Sequence, residues 1–360
     1  MEIGLYAQSG SAKNNHLLRL VTVEKNGVAK LWNFSDKVKM SWPNNLGKVK
    51  LITLSPDQTR IATVDINNVG KIWDLSKNNQ GEFNTDKKEV LSISFSPDGK
   101  LIATGGKDGY VKLWNLSSGG MQLPQFKAHQ DGVGIVNFSP DKDKQHIATV
   151  AENGDARILG ISKEGISPIA ELNDKDSVAS IAFSSDSKLI VTGTTEGSVK
   201  LWDSLGNFKK VLANTDWGSI KTLIFSRDGK RIAALGTNGQ AGVWEFSREQ
   251  ILKEIAKIDG VKILKMSEQQ NNEIIATVGN DNKVKLWDMR GRQFNEFESK
   301  DSGNITAISF TPDGNSMAAA FDTGIVQFWQ IQGLKELSDR GCKWLEDYRN
   351  THPKETNICS

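Results

Sequence analysis

The sequence predicts an all-β protein, an eight-bladed β-propeller followed by a short C-terminal helix, and three observations predict it. Seven of the ten tryptophans, Trp32, Trp73, Trp114, Trp202, Trp244, Trp287 and Trp329, each end a segment approximating Gly-x-Val-Lys-Leu-Trp-Asp. The gap between Trp114 and Trp202 is twice the period and Leu159 occupies the missing node, so successive spacings are 41, 41, 45, 43, 42, 43 and 42 residues. A period of about 40–45 residues ending in a tryptophan dipeptide marks a four-stranded propeller blade. Between the nodes, short turn sequences separate segments that alternate apolar and polar with period two, as strands do.

One unit, read in order, shows why each element forms. Residues 90–96, VLSISFS, alternate and read as the inner strand, buried on both faces by neighbouring blades. Pro97, Asp98 and Gly99 make a tight turn, because proline presets the backbone and glycine accepts a positive φ. Residues 101–106, LIATGG, form the second strand, small enough for adjacent blades to approach. Lys107, Asp108 and Gly109 make the next hairpin, YVKLWNL is the third strand, and a more polar outer strand follows. The same score returns as RIATV, HIATV, LIVTG, RIAAL and IIATV in the second strand, and at Asn153-Gly154, Glu196-Gly197, Asn238-Gly239 and Asp281-Asn282 in the second hairpin.

Eight such units are expected over residues 1–332, the first made of EIGLYAQ, LLRLVTV and VAKLWNF. No clear outer strand follows Trp329. Leu334, Leu337, Gly341, Leu345 and Tyr348 instead recur at helical spacing, and Pro353 is a stop signal, so residues 333–360 are expected to be a helix and tail. Leu337, Trp344 and Leu345 would dock on the propeller and cover its last sheet edge. Two other endings stay open: a last blade of three strands, or a chain that is the tail of a longer array.

These residues resemble the WD-repeat family of β-propellers from about residue 3 to 331. The Trp-Asp dipeptide stands at Trp73-Asp74, Trp202-Asp203 and Trp287-Asp288, with Trp-Asn at Trp32-Asn33 and Trp114-Asn115. The family's Gly-His element is largely absent. Its nearest match is AHQDGV at His129, in the unit that carries Leu159 in place of tryptophan, so the family's His–Ser–Asp–Trp hydrogen-bond chain is complete in no unit. Residues 337–353, LSDRGCKWLEDYRNTHP, further resemble the terminal segment of large cyanobacterial WD-repeat proteins. That resemblance implies a signalling role, with an NTPase or effector region N-terminal to the propeller; no phosphate loop of the Gly-x-x-x-x-Gly-Lys-Ser/Thr type occurs in these residues.

Composition narrows the function classes. A net charge of +2 and a charged fraction of 24% lack the concentrated basicity of a dedicated nucleic-acid binder. No window approaches the roughly 18 consecutive apolar residues of a membrane span. Two cysteines, Cys342 and Cys359, and an N-terminus without secretory character point to a cytoplasmic home. The four histidines form no metal-ligand spacing, and no nucleophile elbow, zinc helix or dinucleotide fingerprint occurs, so no catalytic residue, cofactor or metal is expected.

The remaining candidate is surface. The second hairpins and the loops entering each inner strand share one rim, the top face, and acids outnumber bases there two to one. This asymmetry favours a basic or polar partner. Trp217, in NTDWGSI, lies off the tryptophan grid and is the expected aromatic anchor, flanked by Asp174, Asp176, Asp216, Asp259 and His129. The expected function is non-catalytic recognition of a protein or peptide, in a bacterial signalling or defence scaffold. Two rivals are an enzyme at the central channel and a nucleic-acid binder using the lysine-bearing outer face.

Overall fold

The computed structural model describes residues 18–331 except 24–27, 36–37, 58, 75–78, 84, 86–87, 119–120, 142–145, 163–164, 173–174, 248–249, 268–272, 299–302, 311–313 and 324. Their strands form an all-β propeller of seven sheets. The first sheet contains Arg60–Asp65, Gly70–Asp74 and Asn79–Phe83, built outward from the C-terminal part of Val38–Leu54. Blade two is Val90–Phe95, Leu101–Gly106 and Tyr110–Asn115, with two short outer pieces, Met121–Gln122 and Phe126–Lys127. Blades three, four and five run from Val133–Phe138 to Gly165–Leu172, from Val178–Phe183 to Phe208–Asn214 and from Ile220–Phe225 to Gln250–Ile258. Blade six runs from Val261–Met266 to Gln293–Phe297, and blade seven has three described strands, Ile305–Phe310, Ser316–Phe321 and Val326–Gln330.

Seven blades, not eight, is a correction with a physical cause. The strand Val38–Leu54 runs unbroken for 17 residues and pairs with Val28–Ser35 through one half and Arg60–Asp65 through the other. The first repeat therefore adds its strands to the first blade and makes one six-stranded sheet. Trp42 and Pro43 lie within it. Between the pairs Trp32↔Ser41 and Lys30↔Asn45 the register slips, so the missing proline N–H is absorbed by a bulge and the chain does not turn.

A second signature counts the same way. Each inner strand slips register after its first pair, at Val49/Leu51, Val90/Ser92, Val133/Ile135, Val178/Ser180, Ile220/Thr222, Val261/Ile263 and Ile305/Ala307. Leu18–Val23 pairs with Val28–Ser35 without a slip, as second strands pair with third strands in the seven blades. The C-terminal helix is corrected too: the described residues hold no α-helix, only a 3-10 turn at Leu116–Ser118, and residues 333–360 lie outside them.

In four blades the third-strand tryptophan is tied to the second strand. The indole N–H of Trp73 donates to Thr63 Oγ1 at 3.1 Å, Trp114 to Thr104 at 3.2 Å, Trp202 to Thr192 at 2.9 Å and Trp287 to Thr277 at 2.9 Å. Blades five and seven carry Ala234 and Ala319 at the threonine position, and there an aromatic ring covers the tryptophan instead. Trp217 stacks on Trp244 at 5.5 Å and Phe297 stacks on Trp329 at 5.2 Å. In blade three the tryptophan is replaced by the fully buried Leu159.

Trp114 is 1% exposed and Trp217 3%, so Trp114→Ala and Trp217→Ala should each destabilise by about 3–5 kcal/mol in a urea titration. Thr192→Val, which keeps the shape but leaves the Trp202 N–H unpaired, should cost about 1–3 kcal/mol. A Trp217→Ala variant with an unchanged midpoint would show that its ring does not hold blades four and five together.

Candidate functional site

The top rim is assembled from two loop sets stitched by backbone hydrogen bonds. In blades two to five the glycine of the second hairpin turns at positive φ, as at Gly154 (90°) and Gly239 (87°), and presents its carbonyl to the chain entering the next blade. The Val178 amide donates to Gly154 at 3.0 Å and the Val261 amide to Gly239 at 2.7 Å. Gly109 receives Ala128 and His129, and Gly197 receives Thr215, by the same geometry. In blade six Asn282 takes the left-handed position, and its side-chain oxygen accepts the Ile305 amide at 2.7 Å.

The structure separates the residues that the sequence grouped as one site. Trp217 is not an exposed anchor. Its ring lies in the core formed with Val199, Ile220, Ala234 and Trp244, and Gly236 and Gly242 leave the room for it, since a side chain at either glycine would collide with Trp217. His129 is likewise buried, at 3% exposure. Its Nε2 is hydrogen-bonded to Thr149 Oγ1 at 2.8 Å, its Nδ1 has no partner among the described residues, and the Arg157 guanidinium donates to the neighbouring Ala128 carbonyl. Desolvation, reinforced by the Arg157 charge, lowers its pKa to about 4, so the ring is neutral and its role is to pack.

Of the expected acids, Asp174 lies outside the described residues. Asp176 is half-buried and bridged to Lys200 at 2.9 Å. Asp216 and Asp259 are exposed; the Asp216 carbonyl accepts from the Asn238 amide group at 3.2 Å, and Asp259 accepts from Gln240 at 3.1 Å. Elsewhere on the rim, lysines reach the acids: Lys50 to Glu89 at 3.1 Å, Lys88 to Asp108 at 3.1 Å and Lys107 to Glu152 at 2.5 Å. The exposed rim carboxylates with no ion pair among the described residues include Asp131 and Asp155 at blade three and Glu196, Asp216 and Asp259 in blades four and five and the loop into blade six.

Sequence reasoning missed the inner-strand bulge position as a source of charge. It places Lys50, Lys221 and Lys262 at equivalent points of three blades, all exposed, with the Lys221 ammonium donating to the Lys262 carbonyl at 3.2 Å. The second residue of each inner strand was the available signal. Among the described residues no group of three or more His, Cys, Asp or Glu is placed to hold a metal ion, and no helix is long and apolar enough to cross a membrane.

Comparisons with known proteins agree with this geometry. A family model described as the IFT122 first beta-propeller matches residues 48–330, beginning inside the long strand Val38–Leu54. Periodic tryptophan protein 2 of Arabidopsis thaliana is 20% identical over 244 residues, 65% of this chain and 26% of that protein. Cilia- and flagella-associated protein 52 is 24% identical in Macaca fascicularis, over 55% of this chain and 35% of that protein, and 23% identical in Homo sapiens, over 55% and 32%. The chain thus spans about a third or less of the length of these curated relatives. The Myceliophteria thermophila Cps50 (Swd1) β-propeller domain superposes with a TM-score of 0.61 at 16% identity, covering 79% of this chain and 97% of that one, a likeness of fold.

The His129 environment has a pH consequence. With the folded pKa near 4 and the ordinary value near 6.5, the unfolded chain binds the proton first as pH falls. The contribution is fully present above about pH 6.5 and is lost as pH falls toward about 4, by on the order of 3 kcal/mol. Urea midpoints measured across that window should fall in the native chain and fall less in His129→Gln. Parallel pH profiles for the two proteins would remove His129 as the cause.

Proposed function

The chain belongs to the family of the IFT122 first beta-propeller, and from that premise we propose that it is a non-catalytic protein-recognition and scaffolding module. Its top rim takes a basic segment of a partner at the sector formed by Glu196, Asp216 and Asp259. The observation that carries this reading is the uneven ionic pairing of the rim. Lysines reach Glu89, Asp108 and Glu152 in the first three blades, where Asp131 and Asp155 stay exposed without an ion pair, whereas in this sector all three carboxylates are exposed and none has an ion pair among the described residues. Exposed acids on a rigid rim steer a cationic partner and fix its orientation at little cost in reorganisation.

Relatives named for cilia and flagella fit a role in assembly, and a cytoplasmic setting belongs to the same reading. The narrower idea of a bacterial signalling or defence assembly with an NTPase region rests on residues 337–353 alone, and the curated relatives named above are eukaryotic.

The test is affinity capture of partners from the source cells on the native chain and on Glu196→Gln/Asp216→Asn/Asp259→Asn, followed by kinetics with the recovered partner. The triple variant should associate about tenfold more slowly, and its association should depend less on salt. Equal rates and equal salt dependence would move the interface off this sector.

A further inference from the structure

Six large apolar side chains are exposed among the described residues, and four of them lie together. Ile169 (37%), Leu205 (61%), Phe208 (53%) and Val211 (41%) border the outer strands of blades three and four. Pairing of Phe208 with Trp202 and of Val211 with Lys200 puts both exposed residues on the Trp202 face of the sheet, toward blade three. The Phe208 ring meets the buried Trp202 edge-on at 5.2 Å, so it is held in place. Across the gap, the turn at Gly206 seats directly on Ala170, next to Ile169; any side chain at Gly206 would collide with Ala170. The result is one apolar strip at the perimeter, beside the hairpins of the face opposite the rim. Contiguous apolar exposure of this kind marks an interaction surface.

The backbone beside the strip is also open. Phe208–Asn214 is the last strand of its sheet, paired on one side only. Edge strands are commonly blunted by charged residues, lysine above all, and by proline, as with Pro168 and Glu171 in blade three and Glu296 in blade six. Phe208–Asn214 has no proline and no acid, and its lysines repel another lysine-bearing edge while suiting an acidic strand. Its charges are Lys209 and Lys210, and Lys188 is adjacent through the Ser204 amide, which donates to the Lys188 carbonyl at 2.9 Å. The nearby acids Asp186 and Asp203 are bridged to Lys188 at 3.7 Å and to Lys209 at 3.4 Å, so Lys210 leaves the edge net positive by one charge.

We propose that the outer edge of blade four is a second docking surface, which takes an extended acidic peptide segment of another protein as an added strand. Main-chain hydrogen bonds to Phe208–Asn214 would give the pairing, alternate apolar side chains would enter the strip, and acids between them would face the lysines. The proposal does not depend on the rim reading, because it uses the outer edge and its apolar strip and none of Glu196, Asp216 and Asp259.

The experiment is fluorescence anisotropy with a labelled short peptide that alternates valine and glutamate. Its controls are a valine–lysine peptide and a valine–glutamate peptide interrupted by proline. Saturable binding with a Kd of about 10–100 μM is expected for the first peptide alone. Leu205→Asp and Val211→Lys, which leave the Phe208–Trp202 contact intact, should each weaken it tenfold or more, and the rim triple variant should not. Binding that survives both substitutions, an equally tight proline-interrupted peptide, or no saturation would each overturn the proposal. Sedimentation decides the occupant: a concentration-dependent dimer abolished by Val211→Lys would assign the strip to a second copy and also overturn it.

Discussion

The structure depends on how the third-strand tryptophan is held. A tryptophan between blades excludes water over a large area, but its N–H must find a partner or the burial is costly. In four blades a second-strand threonine supplies that partner, ten residues upstream of the ring. Where alanine stands instead, a neighbouring Trp217 or Phe297 stacks on the ring, and stacking replaces the hydrogen bond as the orienting contact. Blade three inverts the solution, keeping Thr149 and losing the tryptophan, and the threonine turns to His129. One site thus accepts three local chemistries while the strand spacing stays constant.

The rim inherits its order from this packing. Once the blades are set face to face, each hairpin carbonyl lies opposite the chain entering the next blade, and the stitching bonds form with lengths of 2.7–3.1 Å. Loops held in this way present fixed charges, and fixed charges discriminate partners by arrangement more than by number. Which rim carboxylates a lysine reaches is therefore a property of the folded ring, produced by side chains from different repeats.

Much of the fold was legible in the sequence because its signals are local. The tryptophan spacing, the Ser-x-Asp turns and the alternating strands each need only a few residues to be recognised, and Ser55, Ser96, Ser184 and Ser226 do donate to Asp57, Asp98, Asp186 and Asp228 at 2.6–2.7 Å. The blade count was not legible, because the node at Trp32 marks a third strand and says nothing about whether the strand after it stops. The candidate site fared worse for a related reason. Trp217 reads as a polar-loop residue until Gly236 and Gly242, on other strands, are seen to open a space for its ring. The partners of Glu89 and Glu152 come from 39 and 45 residues away, a distance over which loop composition carries no information.

The continuous strand Val38–Leu54 has a mechanical consequence. Blades joined by flexible loops can be lost one at a time, since each loop isolates its neighbours from a local failure. Here the first repeat and the first blade share a single tensile member with no slack between them. Load applied at the N-terminal side is delivered straight into the ladder with Arg60–Asp65, so the ring would yield first at that seam, and a tether placed there would sense strain in the whole array.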